Sequence, residues 1–361
     1  MSTPSFDPRA IRRIMVRANN WIGDVVMISP ALAALRRTYP EARIDAVVRP
    51  QVADCFADHP SVDGVVIQDP RRHRGPLGTL RFAAELSRRD YDLAVLFQKA
   101  AGAALLARLA GIPRRVGYAT DGRGMLLTDP IPETPAARAQ HHVEYFLGVA
   151  RGAGCDVGNG TRPRVVFPLD AQSRAFADTF LSARGAARFA WLAAVAPGAS
   201  KPGRAWHADR FAALAAQLAR NHGAGIVVLG GASDRPEAAR ILQEVGESCI
   251  DAVAATTVRG MAALIERCRV FVGNDSGPMH VAAALDVPVL AMFGPGIPAK
   301  TAPWMPPERF VALSENFHCA PCRQDFFREC DPSPSLKPMC LETISTARAA
   351  AALESLLART T

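Results

Sequence analysis

Short apolar, β-branched runs separated by segments of helical pattern recur along the whole chain, and few architectures accept that alternation. The runs are Ile14–Val16, Ile44–Val48, Gly64–Ile67 and Leu93–Leu96, followed by Ala193–Val195, Gly225–Leu229, Val270–Val272 and Val287–Met292. Strands that are apolar on both faces need cover on both, and helical crossovers supply it, so the pattern predicts an α/β protein with parallel sheets. The runs fall into two groups, one before about residue 156 and one after about residue 188, around the glycine-dense stretch Gly152–Gly160 and a proline-containing segment through Pro168. With 361 residues and 49% hydrophobic content, the chain has enough apolar material for two cores. Two doubly wound domains would place a ligand in the cleft at the carboxyl ends of their strands. No internal repeat is visible.

Several classes drop out. No G-x-G-x-x-G follows a strand and no G-x-x-x-x-G-K-[ST] occurs, which removes the main support for dinucleotide and P-loop readings. No apolar run reaches the roughly 18 residues of a membrane span, and Met1–Pro8 lacks the basic and apolar regions of a signal peptide, so a cytoplasmic location is expected. The net charge of +8 is uneven. Residues 1–165 hold 23 Lys and Arg against 16 Asp and Glu, with clusters at Arg12-Arg13, Arg71–Arg74, Arg88-Arg89 and Arg114-Arg115. An anionic partner for that half, or simply scattered solvated arginines, both fit. Nucleic acid is not expected, because the clusters lack interleaved aromatics.

Val270–His280 reads as a buried strand, a loop and a helix beginning near Gly277, with Ser276 able to cap the turn and Pro278 suited to its start. The free N–H groups and dipole of such a helix attract phosphate, although a plain strand-to-helix cap has the same pattern. Asp24 stands at the start of a helix whose apolar face is Val25, Ile28, Leu32 and Leu35. It is either an ordinary N-cap or a carboxylate kept ionised to accept a hydroxyl proton. Lys201 and Arg204 sit in the Gly- and Pro-rich loop Pro197–Trp206, where a cation could neutralise a diphosphate leaving group. Cys319, Cys322, Cys330 and Cys340 crowd into one stretch and suit a structural zinc or iron, or else remain thiols or disulfides. His141, His142 and Glu144 open a helical segment and would either touch a ligand or cap and pair.

These motifs together resemble the lipopolysaccharide heptosyltransferases of glycosyltransferase family nine. The resemblance is carried by Asn20–Asp24, Gly111–Gly117, Pro197–Ala199 and Asn274–Ala284, with the Cys-rich segment similar to one found in part of the family. It implies a GT-B architecture of two Rossmann-like domains. The expected bounds are an acceptor-binding domain at 1–165, a donor-binding domain at 166–345 that includes 319–340, and a terminal helix at 346–361 packing back toward the first domain. The implied reaction is inverting transfer of heptose from ADP-heptose to an anionic lipopolysaccharide core, at the inner membrane face and without a catalytic metal. Asp24 matches the family's base. Asp275, Ser276 and Gly277 match its donor loop, with Ser200, Lys201 and His280 beside them, Glu237 at the ribose and Met261 near the adenine. Asn20, Trp21, Gly23, Gln98 and Lys99 would face the acceptor. Where the family has Lys-Arg-Trp-Pro this chain has Arg204-Ala-Trp-His207, so Arg204 stands in for the Lys that neutralises the diphosphate, or Lys201 takes that role. A protein acceptor with cysteine-bound iron, a nucleotide-sugar epimerase and an inactive sugar-nucleotide binder are the alternatives.

Overall fold

The computed structural model describes residues 10–158, 162–315, 317, 319, 322, 330 and 333–360. The chain forms two compact units, Met1–Pro168 and Leu169–Thr361. The first contains β1 (Arg13–Arg17), α1 (Ile22–Thr38), β2 (Arg43–Val48), β3 (Gly64–Ile67), α2 (Gly75–Ser87), β4 (Leu93–Leu96), α3 (Ala101–Leu109), β5 (Arg114–Tyr118), β6 (Asp129–Ile131), α4 (Pro135–Ala139) and α5 (His142–Gly152). Its six strands are all parallel, in the order β3-β2-β1-β4-β5-β6. The chain starts in the middle, winds outward on one side, then crosses to the other. Loops after β1 and β4 therefore splay apart at the carboxyl edge and leave room for a ligand.

The second unit repeats this plan with α6 (Ala171–Ser182), β7 (Trp191–Ala196), α7 (Ala208–His222), β8 (Ala224–Val228), α8 (Arg235–Val245), β9 (Cys249–Asp251), α9 (Val258–Glu266), β10 (Val270–Asn274), α10 (Gly277–Ala284), β11 (Val289–Phe293), α11 (Pro298–Thr301), β12 (Phe310–Ser314), α12 (Met339–Glu342) and α13 (Thr346–Arg359). Its parallel sheet runs β12-β11-β10-β7-β8-β9, so the reversal falls between β7 and β10. The architecture is GT-B: two Rossmann-like α/β units.

Burial on both faces of each sheet explains the strand composition. Ile14 to Val16 and Val270 to Val272 are essentially inaccessible, as are Phe82 and Leu86 on the first unit's helical cover and Trp206 and Phe211 in the second. In α1, Pro30 has no N–H for the Val26 carbonyl, and the Ser29 hydroxyl donates to that carbonyl instead at 2.7 Å. The helix thus continues through its proline without an orphaned acceptor. Ala349, Leu353, Leu356 and Leu357 of α13 are buried in the core of the second unit, with α7, β11 and β12 as the neighbours they share. Among the described residues no helix is long and apolar enough to cross a membrane.

Candidate functional site

In the first unit the site is built on the loop from β1 into α1. Trp21, not Asp24, is the N-cap of α1, and Asp24 is the third helical residue. An N-cap role for its carboxylate is thereby removed. Asn19 Nδ2 donates to Asp24 Oδ2 at 3.1 Å, and His142 at the start of α5 brings Nδ1 to 3.9 Å from Asp24 Oδ1. That imidazole nitrogen is buried without a hydrogen-bond partner, and so are the side-chain oxygens of Asn19 and Asn20. Buried polar atoms left open in this way cost stability unless something else meets them, which marks the surroundings of Asp24 as built for a polar ligand. Gly23 is buried behind Asp24, while Trp21 is 66% exposed at the rim.

His141 and Glu144 take ordinary roles. His141 caps α5 by accepting from Val143 N, and Glu144 lies 3.7 Å from Arg151. Proximity of His142 to Asp24 has no signal in the sequence beyond its place at the start of a helical segment. Gln98 lies at the carboxyl edge after β4, where its side chain accepts from Arg17. Lys99 is engaged elsewhere: Nζ donates to Glu133 at 3.0 Å and sits 4.2 Å over the Tyr145 ring. Burial alone would raise the Glu133 carboxyl, but hydrogen bonds from Tyr145, Lys99 and Arg138 outweigh it and hold the group at about 2.

In the second unit Asn274, fully buried at the end of β10, is the tie. It accepts from Trp206 N at 2.9 Å and donates to the Pro197 and Gly198 carbonyls at 2.7 and 3.2 Å. The loops after β7 and β10 are thereby locked together. Asp275 follows, 6% exposed, in an ion pair with Arg204. A Cβ on Gly296 would come within 2.3 Å of Asp275 Oδ2, so the Gly294–Gly296 loop also presses on this carboxylate. Arg204 Nε is buried with no acceptor, and Ser276 Oγ is buried with none either. Ser276 is the N-cap of α10, yet its hydroxyl makes no capping bond, contrary to the expected use. Two unmet donors beside the amino end of α10, with Gly277 and Pro278 opening the helix, form an anion site that the protein's own groups do not fill.

Ser200 and Lys201 are exposed on the loop, Met261 is buried in α9, His280 is buried in α10 and Glu237 is in the first turn of α8. Lys337 was not anticipated, since nothing in the surrounding sequence marks it. Its Nζ donates to Pro202 O at 3.3 Å, and burial lowers its pKa against the attraction of Glu237. Among the described residues no three His, Cys, Asp or Glu side chains converge to hold a metal ion. Cys319, Cys322, Cys330 and Cys340 are partly buried, and burial followed by the charges of the other three pushes Cys340 up to about 11.

Glycosyltransferase family 9 (heptosyltransferase) matches residues 79–329. Lipopolysaccharide heptosyltransferase 2 of Salmonella typhimurium is 28% identical over 317 residues, covering 85% of this chain and 89% of that one. Lipopolysaccharide heptosyltransferase 1 of Pseudomonas aeruginosa is 28% identical over 367 residues, with 96% and 98% covered. In three dimensions the chain resembles ADP-heptose lipopolysaccharide heptosyltransferase II of E. coli, with a TM-score of 0.77 at 24% identity and 96% and 99% coverage. A GT-B glycosyltransferase is thus defined by fold and match alike. The chain belongs to glycosyltransferase family 9.

Proposed function

We propose that this glycosyltransferase moves heptose from ADP-heptose to the inner core of lipopolysaccharide, with inversion at the anomeric carbon. The observation that carries the reading is the anion site of the second unit, where Arg204 Nε and Ser276 Oγ are buried without partners at the start of α10. The names of its relatives support heptose as the sugar and lipopolysaccharide as the acceptor. Asp24 takes the proton of the acceptor hydroxyl as that oxygen attacks the anomeric carbon, and the bond to ADP breaks. Asn19, donating to Asp24, holds the carboxylate in place. Arg204 and the N–H groups of α10 take up the charge on the departing diphosphate, a service worth about 10²–10³-fold in comparable sites. Lys201 lies on the same loop, and Glu237 and Met261 are assigned to the ribose and the adenine.

Basic groups of residues 1–165 suit an anionic acceptor presented at the inner membrane face, which the protein would meet transiently from the cytoplasm. The four cysteines have the donor chemistry of a structural zinc or iron site. About one zinc or iron per chain by elemental analysis, lost in Cys340→Ser, would support that assignment; metal-free protein of unchanged stability would remove it.

Mass-spectrometric detection of heptose transfer from ADP-heptose to heptose-free core tests the main reading. Transfer that disappears with Asp24→Ala supports it. Donor binding with no transfer to any lipid core, but with transfer to a protein, would reassign the acceptor.

A further inference from the structure

Four polar side chains stand in a row along the carboxyl edge of the first sheet, one from each of four adjacent strands. In the order β3-β2-β1-β4 they are Gln68, one residue past β3, Arg49, one past β2, Arg17, the last residue of β1, and Gln98, just beyond β4. Arg17 is 4% exposed. Its Nε donates to Gln98 Oε1 at 3.0 Å, its Nη2 to Gln68 Oε1 at 2.5 Å and its Nη1 to Val47 O at 3.3 Å. A guanidinium only donates, so the amide atom facing it must be the oxygen. Each glutamine therefore turns its NH₂ away from Arg17, and among the described residues neither NH₂ meets an acceptor. The backbone of Gln98 is pinned as well, its carbonyl accepting from the buried Arg123 and its N–H donating to the Arg17 carbonyl at 3.3 Å.

No carboxylate among the described residues pairs with Arg17. Burial and then repulsion from Arg49 lower its pKa to about 10, so a second cation stands close by. A buried charge without a counter-ion is costly, and a protein keeps one where an outside anion completes it. Everything the row presents outward is a donor or a cation.

We infer that Gln68, Arg49 and Gln98 form an oxyanion subsite for the acceptor, taking a carboxylate or a phosphate ester, and that Arg17 is the positioning residue that aims both amides. The inference rests on the reading of the first unit as the acceptor side. Asp24, on the helix that follows β1, would then receive an acceptor whose register is set by this anchor.

Gln68→Glu and Gln98→Glu test it, because each keeps an oxygen facing Arg17 but replaces the outward donor with a second oxygen. The acceptor KM should rise about 10–100-fold in each, as for loss of a charge-assisted hydrogen bond, while the donor KM stays at the wild-type value. Acceptor core that has been dephosphorylated, and core whose carboxyls have been reduced, separate the two sources of the oxyanion. The derivative that weakens wild-type binding but causes no further loss in Gln98→Glu names the group. A wild-type acceptor KM in both variants refutes the subsite and leaves heptose transfer standing. Should the wild-type protein transfer no heptose at all, that reading fails by itself, and titration with inorganic phosphate and glucuronate decides the subsite: binding weakened by Gln68→Glu upholds it, and no binding overturns it.

Discussion

Replacing Arg204 separates its two duties, partner of a buried carboxylate and carrier of charge for the leaving group. Asp275 is 6% exposed on its side chain and Arg204 22%, so Arg204→Met takes the ion-pair partner from a nearly inaccessible carboxylate. Removing one partner of a buried pair costs about 3–5 kcal/mol, and the residual exposure of Arg204 argues for the lower end, about 3 kcal/mol. For a unit of the size of Leu169–Thr361 that is a fall of about 6–12 °C in Tm, read by calorimetry. Turnover should fall by about 10²–10³-fold in the same variant. Arg204→Met combined with Asp275→Asn also removes the buried negative charge and should recover most of the Tm, but turnover stays low because the diphosphate still lacks its cation. The donor KM of the double variant reports whether Asp275 itself touches the nucleotide. Recovery of turnover along with stability would refute the leaving-group role, leaving Arg204 as a counter-ion of Asp275 only. An unchanged Tm in Arg204→Met would refute the ion-pair argument.

Other substitutions follow from the same geometry. Asp24→Asn keeps its shape and a polar contact with Asn19, so the Tm should move by no more than about 0.5 kcal/mol allows, while transfer falls at least about 10²-fold; transfer near the wild-type rate would dismiss Asp24 as the base. Asn274→Ala should destabilise by about 2–5 kcal/mol, because the Trp206 N–H and the Pro197 and Gly198 carbonyls lose their buried partner. Denaturant unfolding measures it, and a loss under 1 kcal/mol, well below this range, would mean that water or the loop itself replaces the amide. Acid should act in two steps. Burial holds His59 at about 4, below its usual 6.5, so its contribution is complete above 6.5 and is lost as the pH falls toward 4, because the unfolded chain takes the proton first. Glu133 and Glu342, both held at about 2 against an ordinary 4.5, add a second loss between 4.5 and 2. Melting curves across this range check both steps, and His59→Phe should remove the first.

The inner strands were legible because their residues are apolar on both faces, and Leu93–Leu96 falls on β4 residue for residue; the edge strand β3 matches Gly64–Ile67 as closely through its β-branched residues alone, since only Val66 of it is buried. Strand β5 was not, since its Arg114-Arg115 reads as a surface cluster. In the fold Arg115 Nε donates to Leu126 O at 2.8 Å and Arg114 comes within 3.5 Å of Asp129. Strands β6 and β9 have three residues each at the sheet edges, too short for any period to emerge. Candidate site residues divide in the same way. Those that belong to a contiguous turn, Asn20 to Asp24 and Asn274 to Gly277, could be found from sequence. Pairings such as Trp206 with Asn274, or Arg17 with Gln68 and Gln98, join residues 51 to 81 positions apart and leave no local trace.

Ser276 obeys the rule for a helix cap in residue type and departs from it in hydrogen bonding. By residue type it is a favourable helix cap, and the sequence rule places it correctly at the N-cap of α10. Its hydroxyl nevertheless leaves the helix uncapped and stays buried without a partner. A rule obeyed in residue choice but broken in hydrogen bonding costs stability, and such costs persist where a ligand recovers them. The same holds for Asn19, Asn20 and His142 around Asp24. Other buried polar atoms without a hydrogen-bond partner, at His59, His73, His207 and Arg309, are scattered over both units, but those of Asn19, Asn20 and Ser276 lie in the β1–α1 and β10–α10 turns at the strand-order reversals, and His142 reaches the first of these turns from α5.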